Sequence, residues 1–244
     1  MTPRLYCPED LSRAVQITLT ESAAHHVARV LRLRTGNLVT LFDGTGGEYA
    51  ASIHEVSKKE VVVDVGKFSD IERESPLRIT LAQGLSVGDK MDDTLQKAVQ
   101  LGIVEFAALE TQKSIVRLSD ERAQKRFQHW QQVAIAACEQ SGRNRIPVVR
   151  EVTPFADFVQ SSDAKATRLL LSPRGDNYMN KFNNLPNEII LLCGPEAGLS
   201  DSEETLAIQQ GFIPVRLGPR ILRTETAALA ALAAMNALWG DYKA

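Results

Sequence analysis

The chain of 244 residues, 44% hydrophobic and 24% charged, has ample apolar material for one large domain or two smaller ones. Its formal charge of −2 gives no overall attraction to a polyanion, and its longest apolar stretch, Ala227 to Trp239, falls short of the ~20 residues that cross a bilayer. Met1 to Leu11 lacks the apolar core of a signal peptide, and Cys7, Cys138 and Cys193 form neither a CxxC pair nor a disulfide framework, so the expected location is cytoplasmic.

In chain order, short strand-like runs come first: Val15 to Leu19, Leu38 to Phe42, Tyr49 to Val56 and Val61 to Val65, divided by turn signals such as Asp43-Gly44 and Gly46-Gly47. One helix is predicted among them, Ser22 to Leu33, from the spacing of Val27, Val30, Leu31 and Leu33. Several short strands in under 70 residues predict a small β-barrel. The polar stretch Ser69 to Pro76 reads as a linker, which places a first domain at 1–72 and a second at 73–244. From Leu77 strand-length apolar runs (Ile79 to Ala82, Val104 to Leu109, Leu169 to Leu171, Ile189 to Leu192, Ile213 to Val215) alternate with helices. The predicted helices are Lys90 to Leu101, Arg122 to Ser141, Phe155 to Val159, Asp201 to Gln210 and Thr224 to Trp239. Such alternation predicts a mostly parallel α/β sheet.

Ligands collect at the carboxyl ends of strands in open α/β sheets. Three such ends carry unusual loops: Leu171-Ser172-Pro173-Arg174-Gly175, Gly194 to Ser200, and Leu217 to Thr224. Glycine there lets backbone groups approach a flat ligand where a Cβ would obstruct. Ser200 with Glu203 forms a capping box, and Thr224 is expected to N-cap the last helix with Glu225 in its first turn. Capping alone is the plain structural account of those four residues. There is no GxGxxG and no GxxxxGK[ST], and His25, His26, His54 and His129 have no metal-ligand spacing, so neither a dinucleotide fold nor a P-loop nor a metal is expected.

Charge is patchy. Residues 113–150 hold eight Lys or Arg against Asp120, Glu121 and Glu139; Arg29, Arg32 and Arg34 follow the paired histidines; Arg216, Arg220 and Arg223 precede Glu225. Local basic patches suit a phosphate-rich partner held at one face, although a solvated helix face accounts equally for 113–126.

Gly194-Pro195-Glu196-Ala197-Gly198-Leu199-Ser200 and the segment Leu217 to Ala227, which includes Arg223-Thr224-Glu225-Thr226, together resemble the paired signatures of the RsmE family. These are SPOUT methyltransferases that modify uridine N3 in 16S ribosomal RNA. Gln96 to Gly102, Glu139 to Arg143 and His25 to Arg32 are similar to further family segments, so the likeness runs almost end to end. The family usually has Gly where this chain has Ala197; alanine resists positive φ, so either that position does not need it or the loop is reshaped.

The resemblance implies a PUA-like β-barrel followed by a trefoil-knotted α/β SPOUT domain, a homodimer, and S-adenosylmethionine bound by the three loops. The implied cofactor contacts are Leu171, Ser172 and Pro173; Gly194, Pro195, Glu196, Gly198 and Leu199; and Leu217, Gly218, Ile221, Leu222, Arg223 and Thr226. Methylating N3 requires loss of its proton, and a guanidinium would stabilise the anion that develops. Arg223 is the expected stabiliser, with Glu196 or Glu225 accepting the proton or orienting the base. Arg4, Arg29, Arg32, Arg34, Arg143 and Arg145 are the expected phosphate contacts, the partner being 16S rRNA or the small ribosomal subunit. The other readings are a SPOUT enzyme acting on a ribose 2′-hydroxyl or another base, and a non-catalytic RNA-binding assembly factor. A class I methyltransferase is disfavoured because no glycine-rich loop follows an early strand.

Overall fold

Alternating burial along β4 (Glu48–Val56) and β5 (Val61–Ser69) sets the first sheet: Tyr49, Ala51, Ile53, Val61 and Val63 point inward while their neighbours face out. The computed structural model describes residues 2–57, 60–182 and 188–242; those up to 74 and from 138 to 146 form one compact unit, and those from 75 to 137 and from 147 onward form a second. No composition shift marks 138–146 as part of the first unit.

Among the described residues the first unit holds five strands in the order β1-β3-β4-β5-β2, with β1 (Arg4–Tyr6) parallel to β3 (Leu38–Phe42), and β2 (Gln16–Thr18) antiparallel to β5. Register shifts along β4 and β5 bend the sheet, as bulges do. Leu5, Val27, Leu41, Ile53 and Val63 form its core. The predicted helix over 22–33 is shorter and irregular. Thr20 accepts the N–H of Ala23 and starts α1 (Glu21–His25), which widens into a π turn at His26–Val30. Arg32, at φ 52°, then turns the chain out of the helix. The extra residue of the π turn rotates the apolar stripe: Val27 is fully buried, but Val30 is 60% exposed.

The second unit is built on a parallel sheet in the order β12-β10-β11-β6-β7-β8. Its strands are β6 (Arg78–Gly84), β7 (Glu105–Glu110), β8 (Val148–Val149), β10 (Thr167–Leu171), β11 (Glu188–Cys193) and β12 (Ile213–Val215), while β9 (Thr153–Pro154) also pairs with β7. Among the described residues, α2 (Lys90–Gln100), most of α3 (Asp120–Ser141), α4 (Phe155–Ser161), α5 (Asp201–Gln209) and α6 (Thr224–Leu238) accompany them. α2 packs on α6, burying Leu95, Ala98 and Val99 together with Ala231, Leu232 and Met235. Asn236, the polar break in the apolar C-terminal stretch, is buried and its amide donates to the Leu101 carbonyl, closing the end of α2. This order brings the carboxyl ends of β12, β10, β11 and β6 side by side.

Candidate active site

The loops leaving β10, β11 and β12 meet at that edge. Ser172 N–H donates to the Val215 carbonyl at 3.0 Å, tying the first loop to the end of β12. Arg174 reaches Asp201 at 2.8 Å and Glu204 at 2.9 Å on α5, holding the same loop from the other side. In the second loop, Gly198 N–H closes a turn on the Pro195 carbonyl at 2.8 Å. Gly198 adopts φ +70° and Ala197 does not have positive φ, so alanine at 197 is accommodated without strain. The loop then enters α5 through the complete Ser200–Glu203 capping box, whose glutamate also accepts from Gln112 N–H at 2.7 Å. In the third loop Gly218 has φ +101°, and nothing lies within 4 Å of where a Cβ would sit.

Together the loops enclose a cavity of about 270 Å³. Leu171, Ser172 and Pro173 line one side, Gly194, Pro195, Glu196 and Gly198 a second, and Leu217, Gly218, Ile221 and Leu222 a third. Three of the residues expected there lie elsewhere. Leu199 is 5% exposed within the hydrophobic core, since the turn at Gly198 folds its side chain inward. Thr226 belongs to an adjoining groove along α6, and Arg223 sits in the chain between the lining residues Leu222 and Thr224 without lining the cavity itself. Ala197, Val215, Arg216, Arg220, Thr224 and Ala227 line the cavity and were not anticipated. For Arg216 and Arg220 the basic cluster was the available signal. Thr224 was hidden by its expected capping role.

That role is corrected. Arg223 is the N-cap residue of α6, and Thr224 is its first helical residue. The Thr224 hydroxyl instead donates to the Gly194 carbonyl at 2.6 Å and accepts from Gln83 Nε2 at 2.9 Å. It therefore joins the second loop to the start of α6.

The two candidate carboxylates differ. Glu196 Oε1 accepts from Val87 N–H at 3.0 Å and Lys90 Nζ at 3.1 Å. Burial by itself would raise its pKa, but the backbone N–H groups of Glu196 and Val87 and the Lys90 ammonium hold it below the usual carboxylate range. A carboxylate so stabilised is a poor proton acceptor and a good tether for the loop after β6. Glu225 has one buried oxygen, Oε2, with no hydrogen-bond partner among the described residues. Arg223 is exposed and has no ion-pair partner among the described residues. In the cavity wall, Arg216 has its guanidinium 4.5 Å from the Tyr178 ring centroid.

The expected phosphate contacts in the first unit fall into two groups. Arg29, Arg32 and Arg34 are exposed and have no ion-pair partner among the described residues. Arg4 and Arg143 do not fit the expectation: their side chains are 8% and 4% exposed and are held by Glu48 and Glu74. A phosphate would have to displace those carboxylates. Arg145 is half-exposed and paired with Glu72 at 2.8 Å.

Comparison with known proteins fits this geometry. Residues 73–236 match the model of an RNA methyltransferase domain, and residues 19–66 that of an RNA methyltransferase PUA domain. The crystal structure of a ribosomal RNA small subunit methyltransferase E from Neisseria gonorrhoeae bound to S-adenosyl methionine superposes with a TM-score of 0.93 at 39% identity, covering 100% of both chains. Relatives named ribosomal RNA small subunit methyltransferase E are 36% identical in Synechocystis, over 95% of this chain and 76% of the relative, and 31% identical in Buchnera aphidicola from Acyrthosiphon pisum, over 99% and 95%. With a PUA-like unit, a SPOUT methyltransferase unit and likeness along nearly its whole length, this chain belongs to the RsmE family, the ribosomal RNA small subunit methyltransferases E.

Proposed function

We propose that the protein transfers a methyl group from S-adenosylmethionine to N3 of a uridine in 16S ribosomal RNA, acting in the cytoplasm as a homodimer. The observation that carries this reading is the convergence of three glycine-bearing loops on one cavity, with the Arg223 guanidinium and a Glu225 carboxylate oxygen, at the start of α6, that have no partner among the described residues. The residues present fit the cofactor. Backbone at Gly198 and Gly218 is open to close approach, Leu171, Leu217 and Leu222 supply apolar contact for a flat base, and the volume is near the lower end of ligand pockets. When bound, the cofactor supplies an electrophilic methyl group on a positively charged sulfur.

The chain's own residues then have separate tasks. The three loops orient the two reactants, and such positioning can lower a barrier by roughly 7–11 kcal/mol. Arg223, which cannot lose its proton at neutral pH, has the task of stabilising the charge that spreads over O2 and O4 as N3 is deprotonated. Of the two carboxylates considered, Glu225 is the better proton acceptor, because Glu196 is tethered to Lys90 and Val87. Arg29, Arg32 and Arg34 bind phosphate and position the RNA without reading its sequence. The apolar groove along α6, lined by Leu222, Ala230, Ala234 and Leu238, supports the homodimer.

The test is incubation with labelled S-adenosylmethionine and undermodified small subunits, followed by digestion and nucleoside mass spectrometry. The expected product is 3-methyluridine, and Arg223→Ala should lower turnover at least a hundredfold with cofactor affinity little changed. A ribose-methylated nucleoside would place the enzyme on another RNA position. No methylated product from a protein that binds RNA would support the assembly-factor reading.

A further inference from the structure

Gln83 is the penultimate residue of β6 and is 1% exposed, so it is a polar side chain deep in the sheet where the period calls for an apolar one. Its neighbour Gly84 shows why the chain is so close here: a Cβ at 84 would come within 2.6 Å of Pro195 Cδ and 2.7 Å of Pro195 N. The second cavity loop thus lies directly on the end of β6. Gln83 Nε2 stands 3.0 Å from the Gly194 carbonyl, 2.9 Å from Thr224 Oγ1 and 3.1 Å from the Gly84 carbonyl. The Thr224 hydroxyl has a single proton, which goes to the Gly194 carbonyl at 2.6 Å, so its oxygen is left to accept from Gln83. The amide is therefore fixed in orientation: turned over, its oxygen would face the carbonyls of Gly84 and Gly194.

We propose that Gln83 is a positioning residue for the cofactor site, its amide clamping the Gly194 carbonyl and the Thr224 hydroxyl so that the second loop and the start of α6 keep the spacing the cavity needs. Gly194 and Thr224 both line the cavity, whereas Gln83 does not, so Gln83 acts through them. The inference rests on the cofactor reading above. A Gln at this place that merely filled the core would satisfy its hydrogen bonds within its own strand and neighbouring strands; here two of its three acceptors belong to cavity-lining residues more than a hundred positions away in sequence.

The test is calorimetric binding of S-adenosylhomocysteine to the full-length wild type, Gln83→Met, Thr224→Val and Thr224→Ser, with melting temperatures of the free proteins. Gln83→Met keeps volume and removes the donors. It should raise the Kd about tenfold or more, and Thr224→Val should do the same while Thr224→Ser recovers most of the loss. The double variant Gln83→Met/Thr224→Val should lose little more than either single one, because both break the same clamp. In turnover assays the KM for cofactor should rise and the KM for RNA stay unchanged, a split that simple core destabilisation would not produce. Should Gln83→Met fail to fold, the Thr224 pair still decides the matter. Wild type that binds while Gln83→Met or Thr224→Val binds within twofold of it overturns the clamp alone. Wild type that binds no cofactor analogue overturns the clamp and the cofactor reading together.

Discussion

Two groups of arginines in the first unit carry the same formal charge and have opposite circumstances. Around Glu48, Glu72 and Glu74, the side chains of Arg4, Arg73, Arg143 and Arg145 are each matched to a carboxylate, and Asn144 adds bonds to Glu48 and the Ile71 carbonyl. Along the π turn and the residues after it, Arg29, Arg32 and Arg34 have no such partners among the described residues. The first group stabilises the fold and is neutralised by it. The second keeps its charge available for a polyanion. A count of basic residues along the chain treats the two alike, and only the location of the carboxylates separates them.

The largest effect expected from this contrast is at Arg143. Its guanidinium is 4% exposed and bonds Glu74 through both Nε and Nη2, the former at 2.9 Å, so Arg143→Ala leaves a carboxylate that is only 14% exposed without its partner. Breaking a buried pair from one side costs about 3–5 kcal/mol, which urea denaturation should show as a lower midpoint at unchanged slope. A loss under 1 kcal/mol would mean that Glu74 finds solvent and that the group is not structural. Acid should act on the same cluster. Burial would raise the Glu48 carboxyl, yet its bonds to Arg4, Arg73 and Asn144 hold it below its ordinary value of 4.5. A depressed folded-state pKa contributes stability above the unfolded value and loses it as pH falls through the folded one. Stability should thus hold from neutral pH down to about 4.5 and decline below it, and the decline should be shallower in Glu48→Gln.

The triple variant Arg29→Ala/Arg32→Ala/Arg34→Ala is expected to do the reverse. Its melting transition should stay within about 0.5 kcal/mol of wild type, as for surface changes without partners. RNA affinity should fall about tenfold or more, and the slope of log affinity against log salt should decrease by about 2 in magnitude, since each phosphate contact releases counterions. An unchanged salt slope would remove these arginines from the RNA surface. A large stability loss would show that the strained turn at Arg32, φ 52°, depends on contacts of those side chains.

What the sequence made legible follows the range of the forces involved. Local periodicity marked β3 and β12 at their observed bounds and α2 to within one residue at its end, and the Ser200–Glu203 spacing marked the start of α5. The glycine loops were legible because backbone approach demands glycine whatever the surroundings. Pairings across the chain were not. β1 is three residues long and exists through its parallel register with β3, Arg4 opposite Thr40. Arg143 and Glu74 are 69 positions apart, and Gln83 and Thr224 are 141 apart. No local pattern distinguishes a threonine that caps a helix from one whose hydroxyl is drawn onto the Gly194 carbonyl. The π turn escaped for a related reason: the apolar spacing of Val27 to Leu33 satisfies an ordinary helix as well as a widened one.

Arg145 lies between the two groups and gives the finest test of the division. It is bonded to Glu72 through Nε at 2.8 Å, but its side chain remains 55% exposed, so the pair is solvated and contributes about 0.2–1 kcal/mol at most. If the division follows burial rather than pairing as such, Arg145→Ala should leave the melting transition nearly unmoved and lower RNA affinity by a small factor, about two- to threefold, with a salt slope reduced by less than 1. If pairing alone decides, affinity should stay at the wild-type value, and Glu72→Gln should raise it by freeing the guanidinium. Measuring both variants at two salt concentrations separates the alternatives, because an arginine released from Glu72 gains in phosphate binding most where screening is weakest.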